Sequence, residues 1–586
     1  MKIRLFYLFF LFTHLLFGQD YDNNWLFGYN IGVHPYDTTF GTSRIIFDSL
    51  ENPEVRFEGY SQIDFQECNV SMSNRKGDYI FSFNGYFIED ASFNIMQGGD
   101  YFNPYNPEAG TGYILPQGAI CLPYPNHDNQ YVLMQGTKKT IDEPDFGPSI
   151  IELYYSIIDM EKNGGIGAVI VKKGLILADT LNFGLITACK HANGRDWWVI
   201  QNETETNNFY KILITPDSIF WNKQVAVGDT AILGLGQAVF TPDGEKYIIF
   251  GTISPGTGQI IEIYDFDRCT GLLSNHRRIQ SWTDYLSFSG GAAISPNSRY
   301  LYTPSDHYIF QYDLWAADIG ASKDTVARFD GFFDQSSYFT SRFYLAQLAP
   351  DGKIYINAKN GIHQLTVIHY PDKAGDACMV EQHGLALPTW NAFSMPNFPN
   401  YRLGPLDGSP CDTLDLDNNP IAKYRYWQDT TDLLSISFTD LSYYEPAEWF
   451  WDFGDGTTSM ERNPWHFFPE QGLYEVCLTV SNEYSSDTNC RELYLGVTAT
   501  GEPAPEITVT LYPNPARDYF YLQYSATERV DAILYDGLGR AVGQKKLVLG
   551  NDRRQGWDIT NLSSGIYYLM GYSAGRVVFR EKVVVW

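Results

Sequence analysis

The chain has 586 residues, more than one hydrophobic core usually organises, and roughly three or four domains are expected. Its 41 Lys and Arg stand against 69 Asp and Glu, a net charge of -28 with the acids scattered along the chain; nucleic acid and anionic membrane surfaces, which need a basic footprint, are argued against as partners. Aromatic content is 16%, with 51 Gly and 29 Pro, and no long apolar run of helical period follows the first twenty positions, so the fold class expected is all-β, built from short strands and tight turns.

Met1 to Gly18 carries Lys2 and Arg4, then an apolar run from Leu5 to Phe17, then the polar Gln19-Asp20. This is the layout of a secretory signal peptide over residues 1–18, too short for a stable membrane span.

Between residues 19 and 402 a unit recurs: a small-residue strand, a turn rich in Pro, Asn, Asp and Gly, then an aromatic or aliphatic strand. Three copies are loose, at Asn74–Gly77, Asn126–Asn129 and His191–Gly194. Three are close, at Thr241–Gly244, Ser295–Ser298 and Ala349–Gly352, with Asp243, Asn297 and Asp351 spaced by 54 residues. A period near 50 implies one four-stranded sheet per repeat, and Ile260–Asp267, Tyr308–Leu314 and Gln364–His369 read as outer strands. Radial stacking of such sheets gives a β-propeller, of six or seven blades depending on whether Trp25–Gly28 completes the last blade or belongs to a seventh. The Pro-Asp-Gly turns, with Gly384–Pro388 leading to Met395–Phe398, resemble the propeller-like portion of large Bacteroidota surface proteins.

After a linker over 403–420, residues 421–497 resemble a PKD domain. The resemblance rests on Trp451, Asp452, Phe453, Gly454, Asp455 and Gly456, then Pro464, His466, Phe468, Gly472, Tyr474 and Val476–Asn482. Trp451 and Phe453 are expected to point inward, with Asp455-Gly456 forming a positive-φ turn. The resemblance implies an immunoglobulin-like sandwich serving as a spacer or as a protein or glycan contact. A second linker, 498–505, leads to 506–586, which resembles a type A sorting domain of the type IX secretion system. That resemblance is carried by Tyr512, Pro513, Asn514, Pro515, Asp518, Gly539, Gly565, Tyr567 and Lys582, together with Leu534–Asp536 and Asp558–Leu562. It implies recognition by the outer-membrane translocon, removal of the tail and attachment to surface lipopolysaccharide. The fold expected is thus a propeller followed by two immunoglobulin-like β-sandwich domains.

Eight cysteines in an exported chain suggest disulfides. Cys477 and Cys490 flank a hairpin turn and are predicted to pair. Cys378 with Cys411 is the second pairing expected, leaving Cys68, Cys121, Cys189 and Cys269 as buried thiols. No CxxC pair or zinc spacing occurs, and no Walker, GxSxG, HExxH or dinucleotide motif, so neither a metal nor a cofactor is expected. His34, His127, His191, His307 and His383 lack a nearby nucleophile or ligand partner in sequence, and the carboxylate pairs Glu143/Asp145 and Asp265/Asp267 read as solvated edges or turn caps. The function expected is a non-catalytic binding or adhesion protein, extracellular or on the outer cell surface. An extracellular polysaccharide-active enzyme and a structural component of the surface or gliding apparatus are the alternatives.

Overall fold

The computed structural model describes residues 19–585 apart from 30–39, 49–51, 60, 105–111, 139–148, 231–235, 253–257, 282–289, 335–336, 429–432, 496–508, 527–529, 536–540, 548–549 and 574–575. The expected signal peptide, His34, Glu143, Asp145 and Gly539 lie outside the described residues. The chain divides into two compact units, Met1–Leu493 and Tyr494–Trp586.

Among the described residues, seven antiparallel sheets of three or four strands follow one another in the first unit, with a two-stranded ribbon, Phe333–Asp334 and Phe339–Thr340, between the sixth and the seventh. The first contains Asn24–Tyr29, Gly41–Ile46 and Glu54–Gly59, and the second Val70–Ser73, Tyr79–Phe83 and Ile88–Asp90. Five four-stranded meanders succeed them. They run from Ala119–Pro123 to Ala168–Asn182, from Thr187–Lys190 to Ile219–Gln224, and from Gly236–Phe240 to Leu272–Ser281. The last two run from Ala293–Ile294 to Asp324–Arg328 and from Phe343–Leu348 to Val380–Asn391. Trp25–Gly28 therefore belongs to a sheet of its own, paired with Gly41–Ile46.

Burial falls from the first strand of each meander to the last. In the fourth sheet Thr187–Lys190 is wholly buried, while Ile219–Gln224 is mostly exposed. Strands covered on both faces read as continuous apolar runs, which is why Trp197–Ile200 does not alternate.

The recurrent turns join the first two strands of sheets two to seven, and most are built alike. The carboxamide or carboxylate of Asn74, Asn193, Asp243, Asn297 and Asp351 accepts the backbone N–H two residues on, at 2.9–3.1 Å. This is the Asx turn that makes Asn and Asp turn formers. The position after it takes positive φ, supplied by Gly194 (73°), Gly244 (75°) and Gly352 (74°), with Ser298 (62°) in the sixth sheet.

The segment Ser394–Arg402 runs through the middle of these sheets. Asn397 donates from Nδ2 to the carbonyls of Ala119 (2.8 Å) and Ile186 (2.9 Å), and its backbone N–H bonds Asn69 O. Gln117 bridges Asn397 Oδ1 and Ala238 O, and Gln237 bonds Ala292 N and both backbone groups of Ala346. One polar hub thus ties together the first strands of sheets three to seven. Beyond it the Tyr401 hydroxyl donates to Cys121 O (2.7 Å), and Arg402 pairs with Asp22 and Asp20.

Two further sheets of the first unit enclose a second core. One holds Tyr424–Gln428, Ser435–Asp440 and Trp465–Phe467; the other holds Glu448–Asp452 with Thr458–Ser459, Gly472–Ser481 and Ser486–Leu495. Lys423 Nζ reaches Asp20 (3.0 Å) and Arg425 Nη2 reaches His369 O (2.9 Å), so this sandwich packs directly on the sheet array.

The cysteines partly overturn expectation. Cys477 and Cys490 are bonded, but Cys411 pairs with Cys269 and not with Cys378. The linker is laid across the fourth and fifth sheets, with Leu406 N on Ala192 O and Gly404 O on the Arg268 guanidinium, and this carries Cys411 to the turn after Asp267. Cys378 stays buried in the apolar cluster containing Tyr302, and with Cys68, Cys121 and Cys189 it is a free thiol.

The second unit is a sandwich of Val509–Tyr512, Tyr519–Ala526 and Gly550–Asp558 against Ala541–Leu547, Val530–Tyr535, Gly565–Ser573 and Arg576–Val585. Phe520, Leu522, Trp557 and Leu569 lie in its core.

Candidate functional site

The six recurrent turns face two different environments. Pro242, Pro296 and Pro350 lie under the loop Asp440–Tyr443 of the second sandwich, where Leu441 Cδ2 stands 2.7 Å from the Cβ that Gly352 lacks. The three loose turns instead line an open cleft of about 730 Å³, closed on its other side by the linker and Tyr444.

Lys190, 6% exposed, lies in the floor of this cleft. Its Nζ has neutral neighbours, Gly194 O at 3.2 Å and Gln19 Oε1 at 3.4 Å, and stands 5.0 Å from the Trp197 ring centroid. Burial first, then Arg268 and Arg75, push the amine down to about 7. Arg195 is paired with Asp196 at 2.7 Å, whereas Arg75 is exposed and has no ion pair among those described. Tyr21, Tyr124 and Tyr444 present half-buried rings, with His127 stacked on Tyr124 at 4.3 Å, and Asp128, Asp415 and Asp417 stand exposed at the rim.

A buried acid lies at the other end of the central segment. Glu67 accepts the Tyr344 hydroxyl at 3.0 Å, and burial pushes its carboxyl up to about 7. The remaining singled-out groups are structurally engaged. Asp265 holds Lys246, Asn275 and Arg277, and Asp267 caps its own turn through Cys269 N and Thr270. His127 bonds Pro216 O, His191 bonds Cys269 O, His307 pairs with Asp306, and His383 pairs with Asp330. No group of three metal-ligating side chains occurs among the described residues.

In the second sandwich Trp451 is fully buried, donates from Nε1 to Glu461 O (3.0 Å) and packs on Tyr424 and Phe438. Phe453 stacks on His466 at 3.9 Å. Asp452 accepts the Gly454 N–H, and Gly454 and Gly456 both take positive φ. Asp455 accepts Thr457 N and Oγ1 and meets His466 Nε2 at 2.8 Å; against the cost of burial these bonds hold its carboxyl below the usual value. In the second unit Asn514 donates to Lys582 O and accepts from Val584 N, pinning the segment Tyr512–Pro515 to the last strand. Tyr567, buried, donates to Ser563 O; Gly565 pairs with Val585, and Asp518 O accepts Ile559 N.

These two constellations are recognised by family models over residues 419–497 and 510–585. The first stretch is a PKD domain and the second a secretion system C-terminal sorting domain. The sorting domain marks the chain for export by the type IX system to the cell surface or the extracellular space, and makes that system a partner. No curated protein matches the chain. Among solved structures, the PKD1 domain of the Vibrio cholerae metalloprotease PrtV is 28% identical, over 13% of this chain and 96% of that one, with TM-score 0.12. A functionally unknown protein from Desulfotomaculum acetoxidans is 13% identical over 64% and 98%, with TM-score 0.34. A candidate 6-phosphogluconolactonase from Bacteroides uniformis is 13% identical over 62% and 96%, with TM-score 0.36. At these scores none of the three bears on what this chain does.

Each of the turns that line the cleft is visible in the sequence, whereas Lys190 and the cleft itself are not. The signal present in the sequence is the irregularity of the first three turns beside the regularity of the last three.

Proposed function

We propose that the chain is an exported, non-catalytic binding protein in which residues 19–402 form a seven-bladed propeller, the recognition module. The PKD domain caps one face of that module and spaces it from its attachment, with 403–420 and 498–505 as linkers and 506–586 as the sorting tail. The observation that carries the reading is the combination of a sorting domain with an open cleft built by turns. Loops held on a rigid scaffold are where recognition surfaces usually lie. The central segment supports a binding role over catalysis along the propeller axis, because backbone and amide bonds fill the space that converging catalytic groups need. Glu67 is one buried acid beside a tyrosine, whereas glycoside hydrolysis generally uses two carboxyl groups.

Two experiments test this. Deletion from Glu506 is expected to abolish surface delivery; persistence of the protein on the surface would sink the export reading. The purified full-length chain, presented to a glycan array and to surface extract, is expected to bind saturably and release its ligand intact. Recovery of cleaved glycan would establish the enzyme reading instead, and absence of any ligand would favour a structural role in the surface layer.

A further inference from the structure

We propose that the cleft between the three loose turns and the PKD linker is the ligand site, and that it takes a saccharide bearing a single carboxylate, with that carboxylate seated between Lys190 and Arg75. The inference rests on the recognition role proposed above and adds to it a location and a ligand class.

The turns supply the first argument. All six occupy the same place in their sheets, and five share the same Asx bond, so differences among them reflect what each one faces. The three Pro-containing turns border a smaller cavity of about 230 Å³ beneath the PKD loop and are linked to their neighbours, with Asp243 N on Ser298 Oγ at 3.1 Å and Asn297 N on Asp372 at 3.0 Å. The three that lack a proline at their second position line one open cleft with Arg75, with His127 and Asp128, and with Lys190 and Arg195 flanking the third turn. The departures from the repeat coincide with the cleft wall.

Charge supplies the second. In a chain of net charge -28, the floor of this cleft is cationic, and its buried amine has two neutral oxygens and an aromatic ring around it but no carboxylate at ion-pair distance among the described residues. Such an amine is costly to keep charged, and an arriving anion offsets that cost directly. The rim carries the opposite sign in Asp128, Asp415 and Asp417, which repels polyanions such as nucleic acid or heavily sulfated chains while offering acceptors for hydroxyl groups. One anionic group on a hydroxylated body meets both conditions. Tyr21, Tyr124 and Tyr444 supply the ring faces on which the apolar face of a pyranose packs.

The test is calorimetric titration of the full-length chain with a glucuronic-acid-terminated oligosaccharide and with its neutral glucose-terminated counterpart. The acidic ligand is expected to bind, with at least a tenfold loss in Arg75→Ala, a substitution on an exposed turn, and in Lys190→Met, which keeps the buried stem. Because burial, Arg268 and Arg75 push the amine down to about 7 against the pull of Asp196, affinity should fall as pH rises from 6 to 8 more steeply in the wild type than in Lys190→Met, where His127 is the titratable side chain left in the cleft lining in this range; ligand should also slow acetylation of Lys190. Equal binding of the neutral ligand, or affinity unchanged in both variants, overturns the site. If the array shows saturable glycan binding that neither variant disturbs, recognition stands and this location falls; if no glycan binds at all, both fall together.

Discussion

Replacing Arg402 with Met should loosen the whole first unit. The guanidinium makes a forked contact with Asp22, Nη1 to Oδ2 at 2.9 Å and Nη2 to Oδ1 at 2.6 Å, and a third bond to Asp20 at 3.1 Å. The Asp22 side chain is 8% exposed and among the described residues no other cation pairs with it, whereas Asp20 keeps Lys423. Removing one partner of a buried pair typically costs 3–5 kcal/mol, and since only one of the two acids is orphaned the loss should lie near the lower end, about 3 kcal/mol. Urea unfolding followed by tryptophan fluorescence reports this region, because Trp25 and Trp197 lie in its core. The triple variant Asp20→Asn, Asp22→Asn, Arg402→Met should recover to within about 1 kcal/mol of wild type, as replacing a whole buried pair is often neutral. Acid gives an independent check. Against the cost of burial, Arg402 and Lys423 hold the Asp20 carboxyl below its ordinary 3.8, so its contribution is present above that value and is lost as pH falls through the lower folded one. The difference between wild type and Arg402→Met should therefore shrink at the acid end. A single variant unfolding within about 0.5 kcal/mol of wild type at neutral pH would refute the argument, since that is the range of surface substitutions.

Trp451→Ala removes the centre of the PKD core and the bond to Glu461 O, and should cost about 3–5 kcal/mol, seen as a lowered calorimetric transition. Non-reducing peptide mapping should recover Cys269 joined to Cys411 and Cys477 joined to Cys490, with Cys68, Cys121, Cys189 and Cys378 alkylated only after denaturation; a Cys378–Cys411 peptide would contradict the path of the linker. Asn514→Ala removes both bonds to the last strand and should lower the stability of the second unit by about 1 kcal/mol, measured by thermal unfolding, with a matching fall in exported protein.

Much of the fold was legible because it is locally encoded. The Asx turns announce themselves in Asn74, Asp243 and Asp351, and Trp451 with Phe453 alternates as an inward-facing strand should. The cysteine framework was only half legible. Cys477 and Cys490 share a hairpin, 13 residues apart, but Cys269 and Cys411 are 142 apart and meet only because the linker folds back over Gly194 and Arg268. Lys190 was invisible for the same reason. Nothing in the run Thr187–Lys190 says that its last side chain will be covered by Gln19, 171 residues earlier in the chain. The hub was partly visible, since Met395–Phe398 stood out as a motif, yet its role depends on carbonyls of two separate sheets.

The passage of Ser394–Arg402 through the middle of the sheets also bears on when the molecule can close. The clasp between Arg402 and Asp22 spans 380 residues, and that between Lys423 and Asp20 spans 403. Contacts of such sequence separation form late, after the loop-closure entropy of the intervening chain has been overcome. Individual sheets can form from local hairpins as they emerge, but the polar hub lacks Asn397 until the segment after the seventh sheet is present. A chain of this design leaves its sheets unlocked from one another through most of synthesis and joins them in one of its last steps.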